Sequence, residues 1–367
     1  MSRKLVAALV LLMVISSMLA GCGAAEPEKI VETVVVEKEV VVTQEVEVIK
    51  EVEVPAESGE LDLTGWKIAA LMPGPINDAG WSASAYKGML MLRDEYGADI
   101  AYTDTVAQAD MEAIMREYAK AGYDVVFGHG YEFADALSKV SEEYPDTDFV
   151  QINGAIAREP NLYSLGFRTG EGGYLCGLTA GQITESGTVG VIVGTQFPAM
   201  DLEISNFHKA LEDLGREDIE VLEAYVGSWD DPATAKELAT AQIEAGADVL
   251  LMVSDAGDAG GIEAAQEAYD DGLTNIRVIS WTSDKNYMAP DIVLGGWEQS
   301  IPDQMRKGME AIAGGATGAH YAFGMADGVT WWNPVYGLVP PEVEESVIKA
   351  RDDYLNGDLE IETNDNI

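Results

Sequence analysis

The sequence predicts an α/β protein with two doubly wound parallel-sheet lobes and a ligand cleft between them. Short apolar stretches rich in Val, Ile and Leu alternate with segments of helical spacing from Trp66 to Trp281. Strands of this kind are typical of parallel sheets that helices cover on both faces. The alternation forms two series joined near Leu162–Gly173, and a chain of 367 residues is long enough for two domains.

Each series alternates strands with helices. The first has predicted strands at 66–72, 99–102, 124–127 and 148–152, separated by helices at 82–95, 107–121 and 132–143. The second has predicted strands at 187–193, 220–225, 248–253 and 277–281, separated by helices at 201–214, 232–245 and 261–271. Ligands of open α/β sheets bind beyond the carboxyl ends of the strands, so the loops after the strands are the expected binding segments.

Composition limits the functions that are open to the chain. Apolar residues make up 47% and charged residues 23%, as in globular proteins. The chain has 22 Lys and Arg against 64 Asp and Glu, a net charge of −42, and such a surface repels phosphate backbones. The three His and two Cys lie far apart, without the close spacing of zinc sites. We therefore expect no nucleic-acid partner, no metal and no cofactor.

Residues 1–21 have the pattern of a bacterial lipoprotein signal peptide. A short positive region precedes an apolar stretch at 6–18, and the tetrapeptide that ends at Cys22 resembles a lipobox. Cleavage would make Cys22 the lipidated first residue and predicts an extracytoplasmic protein anchored to the bacterial cell membrane. An ordinary signal peptide with an incidental Cys22 is the alternative. Cys176 would remain as the single free thiol, so no intrachain disulfide is expected.

Residues 22–60 are predicted to be a tether between the membrane and the globular body. Residues 30–56 are almost entirely Val, Glu, Lys and Ile, with no aromatic residue, no glycine and no turn signal before Pro55. A lone strand of this length has no partner to pair with, whereas β-branched residues and like charges favour an extended linker. A homotypic β or coiled assembly is the alternative interpretation.

Aromatic rings, amides and carboxylates recur in the loops that follow the predicted strands. Stacked rings and a few directional hydrogen bonds are what a flat heteroaromatic ligand requires. Taken singly, each loop aromatic also fits partly buried packing, and Asn77 and Asp78 also fit turn or N-cap positions. The candidate ligand-binding residues of these loops are Asn77, Asp78, Trp81, Tyr131, Asn153, Trp229, Asp255, Thr282 and Asp284.

No pattern of a known catalytic centre is present in the sequence. The phosphate-binding G-x-x-x-x-G-K-[ST] motif, the G-x-S-x-G nucleophile motif and the zinc-binding H-E-x-x-H motif are all missing. His129 is the best catalytic candidate, but a hydrogen-bonding role in its loop is favoured. Cys176 lies in an apolar helical stretch and is expected to be a buried small hydrophobe. We therefore predict that the protein is not an enzyme and assign no catalytic residue.

A series of segments between residues 68 and 361 has the order and spacing of a known family. The segments are 74–81 with 83–88, 128–135, 149–153, 167–177, 225–231, 279–284, 338–343 and 356–361. They resemble the BMP (basic membrane protein) family, the substrate-binding lipoproteins of ABC importers that include purine nucleoside receptors. The resemblance implies a type I periplasmic-binding-protein fold with three crossings between the lobes. It places the N-terminal lobe at 61–167 plus about 285–322 and the C-terminal lobe at 168–284 plus about 323–367.

The resemblance also implies roles for single residues. Nucleoside receptors of this family clamp the base between two aromatic rings, which correspond here to Trp81 and Trp229. Asn77 or Asp78 matches the polar pair beside the first ring. Asn153 stands where these receptors have an Asp that binds the base edge, and it offers a donor as well as an acceptor.

The ribose-binding positions of the family differ most in this chain. The family's Asp falls at Thr282, with Asp284 nearby, and its Lys falls near Gln299 with Trp297 two residues before. The charged residues that would bind the ribose hydroxyl groups are absent from these positions, and Trp297 adds an aromatic surface. Both differences favour a free base or another flat ligand over a nucleoside.

These observations predict a lipid-anchored solute-binding protein that delivers a purine base or nucleoside-like ligand to an ABC permease. The segments 162–169, 279–284 and 322–329 are the expected hinges. A sensory or regulatory lipoprotein that binds the same ligand and a receptor for another flat ligand such as a flavin are the alternatives. A nucleoside hydrolase is disfavoured because the sequence lacks a metal-carboxylate cluster.

Overall fold

The structure is a computed structural model that describes residues 61–77, 80–333 and 336–365. The predicted signal peptide, Cys22 and the tether lie outside the described residues, as does Asp78. The described part contains two six-stranded sheets, each covered by helices, which we call lobe 1 and lobe 2. Within this part of the chain, no helix has the length and apolar character that crossing a membrane requires.

Lobe 1 is built on a fully parallel sheet with the strand order β11-β5-β4-β3-β1-β2. Its strands are β1 (Lys67–Leu71), β2 (Asp99–Thr103), β3 (Val125–His129), β4 (Asp148–Ile152), β5 (Leu162–Phe167) and β11 (His320–Phe323). Its helices are α1 (Trp81–Asp94), α2 (Met111–Lys120), α3 (Ala134–Glu143) and α8 (Ile301–Ala313). Strands β3 and β5 are buried along their length, and β1 is buried after the exposed Lys67, as their apolar sequences require.

Lobe 2 repeats this arrangement with the strand order β12-β10-β9-β8-β6-β7, in which β12 runs antiparallel to β10. Its strands are β6 (Thr188–Val193), β7 (Glu220–Tyr225), β8 (Val249–Val253), β9 (Arg277–Thr282), β10 (Val293–Gln299) and β12 (Thr330–Trp332). Its helices are α4 (Glu171–Ile183), α5 (Pro198–Asp213), α6 (Pro232–Glu244), α7 (Asp258–Asp270) and α9 (Pro341–Asn356).

The structure confirms the predicted fold class, and each predicted strand and helix of the two series has a counterpart. The placement of 285–299 in the N-terminal lobe is wrong, because β10 pairs in parallel with β9 of lobe 2. The chain leaves lobe 2 only at Ser300, whose backbone N–H donates to the carbonyl of Val329 at 2.8 Å. The second crossing therefore lies at 299–301 and not in the expected hinge at 279–284.

Helix α4 packs closely against α5 because the residues of α4 that face α5 include glycines. A Cβ on Gly173 would lie 1.9 Å from the carbonyl oxygen of Glu203, and one on Gly177 would lie 2.5 Å from that of Phe207. Only hydrogen fits between such backbones. Cys176 in the same helix is fully buried in the core of lobe 2, as predicted.

Candidate ligand-binding site

Three of the predicted site residues adopt a left-handed backbone conformation at the carboxyl ends of strands. Asn153 follows β4 with a φ of 56°, Asp255 follows β8 with a φ of 52°, and Thr282 ends β9 with a φ of 70°. A side chain in this region costs about 1–3 kcal/mol, and such strain concentrates at functional sites. The backbone therefore marks the same edge of each sheet that the sequence predicted.

Trp81 is the first residue of α1 and lies against His129, the last residue of β3. The two rings stack with centroids 4.2 Å apart and planes inclined by 22°. The His129 Nε2–H donates to the carbonyl oxygen of Trp81 at 2.9 Å, because a carbonyl can only accept. His129 is fully buried while Trp81 is half-buried, so the histidine covers one face of the indole. This hydrogen bond fits the role that was favoured for His129.

Trp229 lies in the loop between β7 and α6 and is held in a comparable way by lobe 2. Its indole covers Gly194, which directly follows β6, and a Cβ on that glycine would lie 2.4 Å from Cε3 of the ring. The Phe197 ring meets the indole edge-on, with centroids 6.1 Å apart. Sequence reasoning missed both supports, although a glycine at a strand end was a visible signal. Trp229 is half-buried, with one side against its own lobe.

Polar residues of lobe 2 come together at the ends of β8 and β9. The Thr282 hydroxyl donates to Oδ1 of Asp255 at 3.1 Å, so these two predicted residues are neighbours. Asp284 accepts the backbone N–H of Asn286 at 2.8 Å and the hydroxyl proton of Tyr336. The hydrogen bond to this carboxylate raises the pKa of Tyr336.

Glu298 is a site residue that sequence reasoning missed. Strand register places it beside Thr282 on one side and Trp331 on the other. Burial, and then the nearby charge of Asp284, raise the pKa of Glu298. The strand neighbours of Glu298 depend on how β10 pairs, which the sequence around it does not reveal.

The cation nearest in sequence to these carboxylates is engaged elsewhere. Lys285 binds Oδ2 of the fully buried Asp258 at 2.6 Å and the carbonyl oxygen of Trp281 at 2.8 Å. Asp258 also accepts the backbone N–H of Ser254 at 2.7 Å through its other oxygen. The ammonium group is thus already matched by a carboxylate, and the carboxyl edge of lobe 2 keeps a negative character.

The assignment of Trp297 to the ligand site is wrong. Trp297 is 1% exposed and belongs to the core of lobe 2, where its ring lies 6.2 Å from that of Trp281 and against Gly172. Successive side chains of a strand point to opposite faces, and on β10 this alternation turns Trp297 toward the helices. Gln299, two residues further along, is half-buried at the end of the strand opposite Thr330.

The remaining predicted residues of lobe 1 differ in exposure. Tyr131 follows β3 and is 77% exposed, and its carbonyl oxygen accepts a hydrogen bond from the Gln151 amide at 3.2 Å. Asn77 is exposed in the loop after β1. Asn153 is half-buried, and its backbone N–H donates to the carbonyl oxygen of Leu165 at 2.8 Å.

Among the residues that the structure describes, no group of three or more His, Cys, Asp or Glu could hold a metal ion.

Comparison with known protein families gives a match over almost all of the described chain. A family profile described as "ABC transporter substrate-binding protein PnrA-like" (Bmp) matches residues 66–363. A solved structure of an ABC transporter solute-binding protein from Aeropyrum pernix K1 superposes with a TM-score of 0.67 at 19% identity. That superposition covers 80% of this chain and 92% of the other.

Three relatives carry different names. Transcriptional activator protein med of Bacillus subtilis is 30% identical over 294 residues, which is 78% of this chain and 88% of that protein. A putative ABC transporter glucose-binding protein of Haloferax volcanii is 29% identical, covering 78% of this chain and 71% of its own length. A purine-binding protein of Brucella abortus is 27% identical, covering 62% and 63%.

Proposed function

This chain belongs to the PnrA-like Bmp family of ABC transporter substrate-binding proteins, and we propose that it binds a purine base or a similar flat ring between Trp81 and Trp229. The family is described as substrate-binding proteins of ABC transporters, which are extracytoplasmic, are not enzymes and pass a small molecule to a permease. The proposal adds the chemical class of the ligand and the residues that hold it.

The paired tryptophans carry the proposal. Each is half-buried at the carboxyl edge of its own lobe, and each has one side covered by protein, by His129 for Trp81 and by Gly194 for Trp229. Rings supported on one side present the other at little conformational cost. A flat ligand that stacks on both gains about 0.5–1.5 kcal/mol per aromatic contact beyond the area it buries.

The polar groups around the tryptophans restrict the ligand further. Asn153 offers both a hydrogen-bond donor and an acceptor, which suits the mixed edge of a purine. Asp255, Asp284 and Glu298 accept hydrogen bonds and, when ionised, repel anions. We therefore expect a neutral or cationic ligand with N–H or O–H donors, and no phosphorylated one.

A sugar is the second candidate ligand. The carboxylates of lobe 2 favour it, because sugar hydroxyl groups donate to carboxylates. The name of the Haloferax volcanii relative supports the same class, whereas that of the Brucella abortus relative supports a purine. The name of the Bacillus subtilis relative supports a regulatory use of the bound ligand as a third candidate, which a pull-down that recovers no ABC permease would favour.

Lipid anchoring through Cys22 is part of the proposal. The support is the signal-peptide pattern of residues 1–21 that ends directly at Cys22. A Cys22→Ser variant is expected to leave the membrane fraction. If that variant stays with the membrane as fully as the parent protein, the anchor is not at Cys22.

Calorimetric titration of the full chain tests the binding proposal. Adenine, guanine, hypoxanthine, their nucleosides and glucose form the panel, with AMP as the phosphorylated control. Trp81→Ala and Trp229→Ala are each expected to weaken purine binding by about tenfold or more, since a factor of ten is about 1.4 kcal/mol. Trp66→Ala is the matched control, because Trp66 is also half-buried but precedes β1 at the opposite edge of the sheet. Unchanged purine affinity in both cleft variants, or binding of glucose alone, would refute the aromatic clamp.

A further inference from the structure

The last residues of the described chain run from one lobe to the other. We call Leu359–Asp365, which follow α9, the C-terminal strap. Its beginning belongs to lobe 2, because Ile361 is buried in the lobe 2 core and Leu359 packs against that core. The carbonyl oxygen of Glu362 then accepts a hydrogen bond from the side chain of Asn206, on α5, at 2.7 Å.

The other end of the strap is bound to lobe 1. Asn364 and Thr169 exchange two backbone hydrogen bonds of 3.1 Å each, as neighbours in an antiparallel bridge. The Arg168 guanidinium donates to the Asp365 carboxylate at 2.7 Å. The side chain of His320, the first residue of β11, donates to the carbonyl oxygen of Asp365. Arg168 itself extends the pairing of β5 with β11, since its N–H donates to the carbonyl of Phe323 at 2.8 Å.

The strap also lies directly on the first covalent crossing between the lobes. Gly170, in that crossing, has a φ of 106°, and a Cβ there would lie 2.2 Å from the Glu362 carbonyl oxygen. No side chain fits between the strap and the crossing. The Asn206 amide joins the two, because it donates to the carbonyl oxygens of both Gly170 and Glu362, at 2.9 and 2.7 Å.

The helix before the strap reaches the third crossing through a buried carboxylate. Glu171, the first residue of α4, is fully buried, and its Oε1 accepts the hydroxyl proton of Tyr354 on α9 at 2.9 Å. Its Oε2 accepts the N–H of Met325 at 2.9 Å and the hydroxyl of Thr330 at 3.2 Å. Residues 324–329 are the third crossing, so the strap contacts the first crossing directly and α9 is linked to the third through the Glu171 carboxylate.

We propose that the C-terminal strap is a fourth, non-covalent connection that restrains the orientation of the two lobes. Removing its end, residues 362–367, leaves the covalent crossings and both cores in place but frees the first crossing to bend. The ligand-free protein then samples a wider range of lobe orientations. It therefore loses more conformational entropy when a ligand fixes one orientation. The inference does not depend on which ligand the cleft accepts.

Distances between spin labels on the two lobes test the proposal without a ligand. The labels are attached at Lys120→Cys on α2 and Glu244→Cys on α6, both exposed, in the full chain carrying Cys22→Ser. Cys176 is fully buried and is not expected to react. We expect a single narrow distance distribution in the protein with an intact strap, and about a twofold broader one after deletion of residues 362–367.

Point variants keep the test decisive if the shortened chain fails to fold. Asp365→Ala removes the carboxylate that Arg168 contacts and is expected to broaden the distribution by less than the deletion does. Asp352→Ala is the matched control, because it removes an exposed carboxylate on α9 that pairs with the neighbouring Arg351. The proposal would be overturned if the folded deletion variant had the same mean distance and width as the protein with an intact strap. It would also be overturned if the Asp365→Ala and Asp352→Ala variants had equal distributions.

Discussion

The two lobes use similar sheets to present very different chemistry at the candidate site. Lobe 1 contributes Trp81, backed by a buried histidine, and the neutral amide of Asn153. Lobe 2 contributes Trp229, backed by a bare glycine, and a group of carboxylates whose nearest lysine in sequence is bound to Asp258. In the proposed site, stacking is thus shared between the lobes, while the carboxylates proposed to select ligand charge, Asp255, Asp284 and Glu298, lie on lobe 2. The lobes are expected to respond differently to pH, to substitution and to ligand charge.

The largest expected effect concerns the buried carboxylate of lobe 2 at the first crossing. Burial raises the pKa of Glu203 to about 7, although the N–H groups of Gly170 and Gly173 donate to it at 2.7 and 2.6 Å. The folded state then holds a proton that the unfolded state releases near pH 4.5. The contribution of Glu203 to the free energy of unfolding should therefore fall by about 3 kcal/mol as the pH rises from about 4.5 to about 7.

Urea unfolding at a series of pH values measures this dependence. The Glu203→Gln variant, which is neutral at every pH, should have a flatter profile over that window. Glu220→Gln is the control, since Glu220 is exposed at the start of β7 in the same lobe. A Glu203→Gln profile as steep as that of the parent protein would show that another group causes the slope.

The next effect concerns the support of the lobe 2 tryptophan. Gly194→Ala places a methyl group where the Trp229 ring now lies, so the ring must move, and we expect purine affinity to fall by about tenfold. A smaller ring should tolerate the methyl group, so the double variant Gly194→Ala/Trp229→Phe should bind better than Gly194→Ala alone. Calorimetric titration of the parent protein, both single variants and the double variant gives the coupling energy, which is the loss in the double variant minus the sum of the losses in Gly194→Ala and Trp229→Phe. Equal losses in the single and double variants would mean that Gly194 does not act through Trp229.

The smallest effect concerns ligand charge. Asp284→Asn combined with Glu298→Gln removes two negative charges from the lobe 2 edge, and each amide keeps nearly the shape of the acid. We expect AMP binding to become measurable and adenine affinity to change by about threefold or less. The matched control is Glu112→Gln with Glu143→Gln, two carboxylates on the helices of lobe 1 that pair with Arg116. AMP that stays unbound in the first variant would show that the charges of Asp284 and Glu298 are not what excludes it.

The strands and helices of the two alternating series were predictable because their apolar spacing is regular. Strand β10 was missed because Gly295 and Gly296 interrupt its apolar run, and the antiparallel β12 has only three residues. These two strands decide where the chain crosses between the lobes. The lobe boundary predicted after Asp284 was wrong for that reason, because residues 285–299 belong to lobe 2.

The candidate site was predictable only where position along one strand was enough. Asn153, Asp255 and Thr282 lie at strand ends, and the sequence located those ends within a residue or two. The assignment of Trp297 to the ligand site was wrong because the direction of its side chain depends on which face of β10 meets the helices. Glu298 and Gly194 were missed because their roles depend on contacts with residues distant in the chain.

The left-handed backbone at Thr282 has a consequence for the stability of the protein as a whole. A β-branched residue is poorly suited to a φ of 70°, whereas glycine adopts it freely. A glycine at this position would relieve the local strain but would remove the hydroxyl that binds Asp255. Thr282 therefore combines a costly backbone conformation with a hydroxyl that binds Asp255 at the carboxyl edge of lobe 2.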